Sequence, residues 1–218
     1  MTPIKRLFDL LFACVLAPGA AALMVFLACW LWVRQGRPVF FGSERMRSVT
    51  QPFTLWKLRS MTVVATDSGV SGGDKAARVT PVGRVLRHTR LDELPQLFNI
   101  LRGDISFVGP RPPLRQYVER CPEIYAQVLR SRPGVTGLAT LVFASHEQRL
   151  LARARTPEET DAIYVRLCIP RKAQIDLIYQ RRRTMRLDLW LITLTVARVF
   201  GYARMRRLPR DWKGLARK

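Results

Sequence analysis

Asp92 and Glu93 stand side by side in "RLDELPQLFNILRGDISFVGPRP", a stretch that begins at Arg90. Arg87, Arg90, Arg102 and Arg111 lie close by in sequence. A carboxylate pair among arginines has two chemical uses at a phosphorylated ligand. One carboxylate can attack phosphorus and form an acyl phosphate. Either can hold Mg²⁺, which neutralises phosphate charge. Guanidinium groups grip phosphate oxygens in bidentate fashion, so the arginines suit the same ligand. The pair also suits an ordinary helix start, where Asp caps and Glu favours the first turn. Free N–H groups and the helix dipole would keep both carboxylates ionised there.

Three other stretches could serve such a site. "WKLRSM" supplies Lys57 and Arg59 at the end of an expected strand, and "SFVGPRPP" places Arg111 on a rigid loop. "RPGVTG" supplies Pro133, Gly134, Thr136 and Gly137, a turn whose backbone could come close to a nucleotide.

The elements that must position these groups are legible in part. Leu94, Leu97, Phe98 and Leu101 have helical spacing, with Gly103 as the stop. A helix beginning near Asp92 would hold Pro95 in its first turn, where the missing N–H does no harm. Residues 81–87 read as a helix capped by Thr80. Residues 38–41 and 52–58 read as short strands, and 64–80 as a loop. A helix is expected from Pro157, broken or kinked near Pro170. "LDLWLITLTVARVFGY" is a further helix, charged only at Asp188 and Arg198. It belongs either in the core or in a membrane interface beside the basic tail 204–218.

The 218 residues carry 37 Lys+Arg against 16 Asp+Glu, a net charge of +21. Such a chain calls for an anionic partner: nucleic acid, an anionic membrane surface or a phosphorylated substrate. A nucleic-acid-binding membrane protein is the main alternative from another class. No helix-turn-helix, zinc or RNA-recognition signature supports it, so no nucleic-acid partner is expected. Cys14, Cys29, Cys121 and Cys168 form no CxxC pair, which argues against a zinc site or disulfide framework.

Residues 10–33 contain no charge. As one helix they would reach about 36 Å, enough to cross a bilayer core of about 30 Å. Pro18 followed by Gly19 interrupts the run, and Lys5, Arg6, Arg34 and Arg37 flank both ends. Basic flanks hold both ends on the cytoplasmic side. A re-entrant hairpin broken at Pro18 satisfies both features, and a single span remains the alternative.

Taken together, "KRLFDL", "WKLRSM", "RVTPVGRVLRHTRLDELPQLFNILRGDISFVGPRP", "RPGVTGLA" and "RLDLWLITLT" resemble the bacterial sugar transferases, the monotopic phosphoglycosyl transferases. The resemblance covers essentially the whole chain. It implies an α+β, mostly helical fold: a re-entrant membrane anchor (1–36), a small cytosolic catalytic domain with short strands and interfacial helices (37–203), and a basic tail (204–218). Extra N-terminal membrane segments found in larger relatives are not expected. It implies transfer of sugar-1-phosphate from a UDP-sugar to undecaprenyl phosphate with Mg²⁺, releasing UMP and starting glycan assembly. Asp92 would be the nucleophile and Glu93 a Mg²⁺ ligand beside it. Lys57, Arg59, Arg87 and Arg111 would contact phosphates or carboxylates. The expected setting is the cytoplasmic face of a bacterial inner membrane, against anionic lipid. The sugar, the pathway and homodimer formation are left open. Ala17 replaces a common serine before the helix-breaking proline, and "GLAT" replaces GWAQ; neither departure touches the dyad.

Overall fold

The computed structural model describes residues 2–64 and 77–201. Most of the expected 64–80 loop, the end of the expected catalytic domain and the basic tail therefore lie outside the described residues.

The fold is mostly helical with two small two-stranded sheets. Helix α1 (Pro3–Gln35) opens with Pro3 in its first turn and Thr2 as cap, the Thr2 hydroxyl accepting from Lys5 N–H. It ends at Gly36 (φ 65°), a conformation glycine adopts without strain. The helix continues through Pro18, so the expected break does not divide it into two separate helices. Both ends of α1 are nevertheless fastened to the same folded body. Lys5 Nζ donates to Asp188 Oδ2 at 2.5 Å, and Arg6 donates to the Ile100 and Leu101 carbonyls at 2.6 and 2.8 Å. At the far end Gln35 donates to the Arg59 carbonyl at 3.1 Å. Ala13 and Leu27 are buried, while every residue between them is half-buried or exposed. The middle of α1 therefore presents a bare apolar surface, and its ends are gripped.

Strands β1 (Phe40–Met46) and β2 (Pro52–Leu58) pair antiparallel, with Phe40 opposite Leu58 and Met46 opposite Pro52. β2 coincides with the strand read from sequence; β1 starts two residues after the expected one and runs longer. Next come α2 (Pro81–Thr89), α3 (Gln96–Arg102), β3 (Ser106–Val108), α4 (Arg115–Arg120), α5 (Pro122–Val128) and β4 (Gly134–Thr136). The Thr80 hydroxyl accepts from Gly83 N–H at 2.9 Å, the expected cap of α2. Asn99, buried on α3, donates to the Thr54 carbonyl and Asp104 Oδ2 and accepts from Trp56 N–H. That one side chain docks α3 on β2.

Helices α6 (Leu138–Leu151), α7 (Pro157–Ile163), α8 (Ile169–Arg182) and α9 (Met185–Val199) complete the body. A π-helical turn, Tyr164–Cys168, joins α7 to α8 directly before Pro170. The expected kink at Pro170 takes this form, because proline cannot supply an interior helical N–H. The main core is helical, built around Tyr117, Leu138, Val142, Ile169 and Leu191. α9 enters the core through Leu191, which is fully buried, whereas its Leu189 and Val196, and Phe200 just past its end, are exposed. All four cysteines are free.

Lys5 and Asp188 are both nearly inaccessible, and Tyr179 donates to the other Asp188 oxygen at 2.7 Å. The network joins α1, α8 and α9. Lys5→Met removes the compensating charge and leaves the Asp188 carboxylate buried without its cation. We expect a loss of about 3 kcal/mol, read as a lower unfolding midpoint in detergent. An unchanged midpoint would show that the pair contributes nothing to docking α1.

Candidate active site

Arg90 ends α2 in the left-handed region (φ 57°, ψ 18°) and is the one non-glycine residue with positive φ among the described residues. That conformation costs an L-residue roughly 1–2 kcal/mol. It turns the chain into a short 3₁₀ turn, Leu91–Glu93, which carries both carboxylates. The dyad therefore precedes α3 instead of opening it, with Leu94 and Pro95 between. Pro95 and the helical turn hold the pair rigidly.

Asp92 and Glu93 lie on the wall of a cavity of about 360 Å³. Lys57, Arg87 and Arg111 from the sequence reading line it too, joined by Arg90 and by Arg45 of β1. Arg59, Pro133 and Thr136 are not among its lining residues. The Arg59 guanidinium donates to the carbonyls of Gln35, Gly36 and Arg37, so it closes the C-terminal end of α1. The Pro133 carbonyl accepts from Ser106 N–H at 2.8 Å, and the Thr136 hydroxyl pairs with Thr195 at 2.7 Å. The "RPGVTG" turn does make a close backbone approach, but to the "VGPRP" loop. An added Cβ at Gly134 would lie 2.2 Å from Gly109 N, and one at Gly137 2.1 Å from Gly109 O. These glycines set the loop that carries Arg111.

The two carboxylates differ electrostatically. Glu93 faces Arg90 at 2.8 Å, Arg111 at 3.5 Å and Lys57 at 3.7 Å. Burial opposes its charge, but Lys57, Arg90 and Arg111 outweigh that and hold it down at about 2. Burial pushes Asp92 above the ordinary carboxylate range, with Lys57 only partly offsetting it and the Glu93 charge adding to the rise. The helix start expected to keep both carboxylates ionised is only a short 3₁₀ turn, and burial, opposing the charge, dominates at Asp92. Lys57 is drawn down to about 8, by burial first and then by Arg111. The site thus combines one carboxylate held ionised by its cations with a second that is desolvated and therefore more basic.

Among the described residues no group of three or more Asp, Glu, His or Cys gathers as a metal cage. Two adjacent carboxylates still fit Mg²⁺ of the kind shared with ligand phosphates and water, since that ion takes one or two protein carboxylates. Arg45, Glu147, Tyr164, Lys172 and Asp176 also line the cavity, and the sequence reading missed them. They come from four elements distant in sequence, β1, α6, the π-helical turn and α8, and no local motif marks them.

On the opposite side of Arg90 and Glu93 lies an apolar groove of about 590 Å³. Leu16, Gly19 and Leu23 of α1 form one wall; Leu94, Val196 and Phe200 form part of the others. Arg90 and Glu93 line both spaces, so the dyad turn separates a polar chamber from an oily one.

Comparison with known proteins gives a consistent result. The family described as "Bacterial sugar transferase" matches residues 1–202. The "Uncharacterized sugar transferase EpsL" of Bacillus subtilis (strain 168) is 40% identical over 138 residues, covering 63% of this chain and 68% of that protein. The "UDP-glucose:undecaprenyl-phosphate glucose-1-phosphate transferase" of Klebsiella pneumoniae is 34% identical over 200 residues, 90% of this chain but 40% of that protein. The "UDP-N-acetylgalactosamine-undecaprenyl-phosphate N-acetylgalactosaminephosphotransferase" of Aeromonas hydrophila is 37% identical over 145 residues, 64% of this chain and 34% of that protein. The last two matches therefore span well under half of those longer relatives.

Proposed function

This chain belongs to the bacterial sugar transferase family, and from that premise we propose that it transfers sugar-1-phosphate from a UDP-sugar to undecaprenyl phosphate, releasing UMP. The observation that carries the reading is the position of the dyad. A polar, arginine-rich cavity suits a nucleoside diphosphate, and the adjoining apolar groove suits a polyprenyl chain. Two substrates of opposite character would meet at Asp92 and Glu93.

In the first step an Asp92 carboxylate oxygen attacks the β-phosphorus. The bond from that phosphorus to the bridging oxygen breaks, and UMP leaves with the oxygen. In the second, a phosphate oxygen of the lipid attacks the same phosphorus and restores the Asp92 carboxylate. Lys57, Arg87 and Arg111 offset the repulsion between an anionic nucleophile and a diphosphate. Arg90, gripping Glu93 at the mouth of the groove, is placed to meet the lipid phosphate. Mg²⁺ held by Glu93 and Asp92 with the diphosphate would supply further charge neutralisation.

The anchor reading is a re-entrant one, with the body on the cytoplasmic face of the inner membrane. It rests on Lys5 and Gln35, at opposite ends of α1, both bonding to one folded body. A helix crossing a core of about 30 Å would separate its ends. Pro18, in the exposed middle, removes one helical hydrogen bond and favours a bend there. The exposed side of α9 and the net charge of +21 suit an anionic lipid surface.

The assay is UMP release from UDP-sugars with Mg²⁺ and polyprenyl phosphate. Val196→Asp puts a charge in the groove at an exposed position. It is expected to raise KM for the lipid at least tenfold, on the order of 1.4 kcal/mol, with KM for the UDP-sugar unchanged. Equal changes in both constants would place the lipid elsewhere.

A further inference from the structure

The cavity extends beyond the dyad to a second polar cluster that the phosphoryl chemistry does not use. Lys172 of α8 donates to both Glu147 oxygens, at 3.0 and 3.1 Å, and lies 3.3 Å from the Tyr164 hydroxyl. Asp176, one turn further along α8, is 6% exposed. It serves the Ala139 amide in the first turn of α6, yet its Oδ1 has no hydrogen-bond partner. All four side chains line the cavity that holds Asp92. A buried carboxylate oxygen with no partner is costly, and Asp176 lines the cavity wall, so a ligand donor that reaches that wall would relieve the cost.

Resting on the transferase reading above, we propose that Asp176, with Glu147, Lys172 and Tyr164, forms the subsite for the hexose of the donor and sets its sugar specificity. Two observations favour the sugar over the uracil. First, the cluster presents both acceptors (Asp176, Glu147) and donors (Lys172, Tyr164). Sugar hydroxyls each donate and accept, whereas uracil offers one N–H between two carbonyls that a carboxylate repels. Second, Arg111 interacts with Glu93 and Asp92 on one side and with Glu147 and Tyr164 on the other. The cluster is thus one guanidinium away from the attacking carboxylate. In a UDP-sugar the hexose is bonded directly to the phosphate under attack, while the uracil is separated from it by a second phosphate and the ribose. Burial also pushes the Asp176 carboxyl up to about 7, with Lys172 and the Ala139 amide offsetting part of that rise. This is the signature of a group left short of partners in the folded chain.

The test compares the full chain with Asp176→Asn and Tyr164→Phe in detergent. Asn keeps an acceptor for the Ala139 amide, and Phe removes only a hydroxyl. Binding of UDP and of UDP-glucose, UDP-galactose and their N-acetyl counterparts is measured by calorimetry without lipid acceptor, so the reading does not depend on turnover. Both variants are expected to bind UDP within twofold of the unaltered chain. Each should change the ratio of affinities between the preferred and disfavoured UDP-hexose at least tenfold. Asp176→Asn should in addition melt no lower than the unaltered chain, because it removes a buried carboxylate whose desolvation is only partly offset. Weakened UDP binding with unchanged sugar ratios would assign the cluster to the uridine and overturn the proposal. Unchanged affinities throughout would overturn it as well. A chain that binds UDP-hexoses with these ratios yet never releases UMP would overturn the transferase reading alone.

Discussion

Asp92→Asn is expected to eliminate UMP release, by on the order of 10³-fold or more, while leaving membrane association intact. The substitution keeps shape and removes the proposed nucleophile, and an amide cannot form the acyl phosphate. Glu147 and Asp176 line the same cavity but belong to the separate cluster around Lys172. Glu93, the neighbouring carboxylate, is held by Arg90, Arg111 and Lys57 and is far less basic. The anchor is independent of the site: α1 is fixed through Lys5, Arg6 and Gln35. Loss of activity should therefore not be loss of fold. Because burial raises the Asp92 carboxyl, its neutral form favours folding, and that contribution fades as pH rises and the group ionises. Asn at this position stays neutral, so its melting temperature near pH 7–8 should equal or exceed that of the unaltered chain. Vesicle flotation and thermal melts check both statements. Near-normal turnover would remove Asp92 from the mechanism.

Gly134→Ala is expected to cost about 4 kcal/mol or more and to prevent accumulation of folded protein. The added methyl would lie 2.2 Å from Gly109 N and 2.6 Å from the Val108 carbonyl carbon. Those are backbone atoms in the parallel pair β3–β4, so no rotamer change relieves the clash. The same loops exchange Gly109 N–H to the Thr136 carbonyl at 2.9 Å and Gly134 N–H to the Pro110 carbonyl at 2.8 Å. Separating them would also displace Arg111 from Glu93. As a control, Gly19→Ala faces open space on α1 and should be tolerated. Expression level and chemical denaturation read the contrast; a Gly134→Ala chain as stable as the unaltered one would contradict the packing.

The sequence carries the local parts of this account and little of the long-range assembly. Strand β2, the Thr80 cap, the Gly103 stop and the Pro170 kink were readable because each depends on neighbours a few residues away. Asp92, Glu93, Lys57, Arg87 and Arg111 lie on short, distinctive stretches, and the fold brings these five side chains to one cavity. Arg59, Pro133 and Thr136 do not line that cavity, and their chemistry is versatile: a guanidinium suits carbonyls at a helix end as well as phosphate, and a glycine turn can approach another loop as closely as a ligand. Asp176, Lys172, Glu147 and Tyr164 carry no motif. Only the packing of α6, the π-helical turn and α8 places them in one cavity. The difference between Asp92 and Glu93 was equally hidden, since it arises from burial and from cations 18 and 36 residues distant in sequence, Arg111 and Lys57.

The central claim is that Asp92 becomes esterified to a sugar phosphate. Incubation with UDP-sugar and Mg²⁺ in the absence of lipid acceptor, an acid quench and mass spectrometry of the tryptic peptide LDELPQLFNILR test it directly. The expected result is a hexose-phosphate adduct on Asp92 that disappears on adding polyprenyl phosphate and never forms in Asp92→Asn. Full turnover with no adduct at any time point would mean that the lipid phosphate displaces UMP directly, and the mechanism would be wrong.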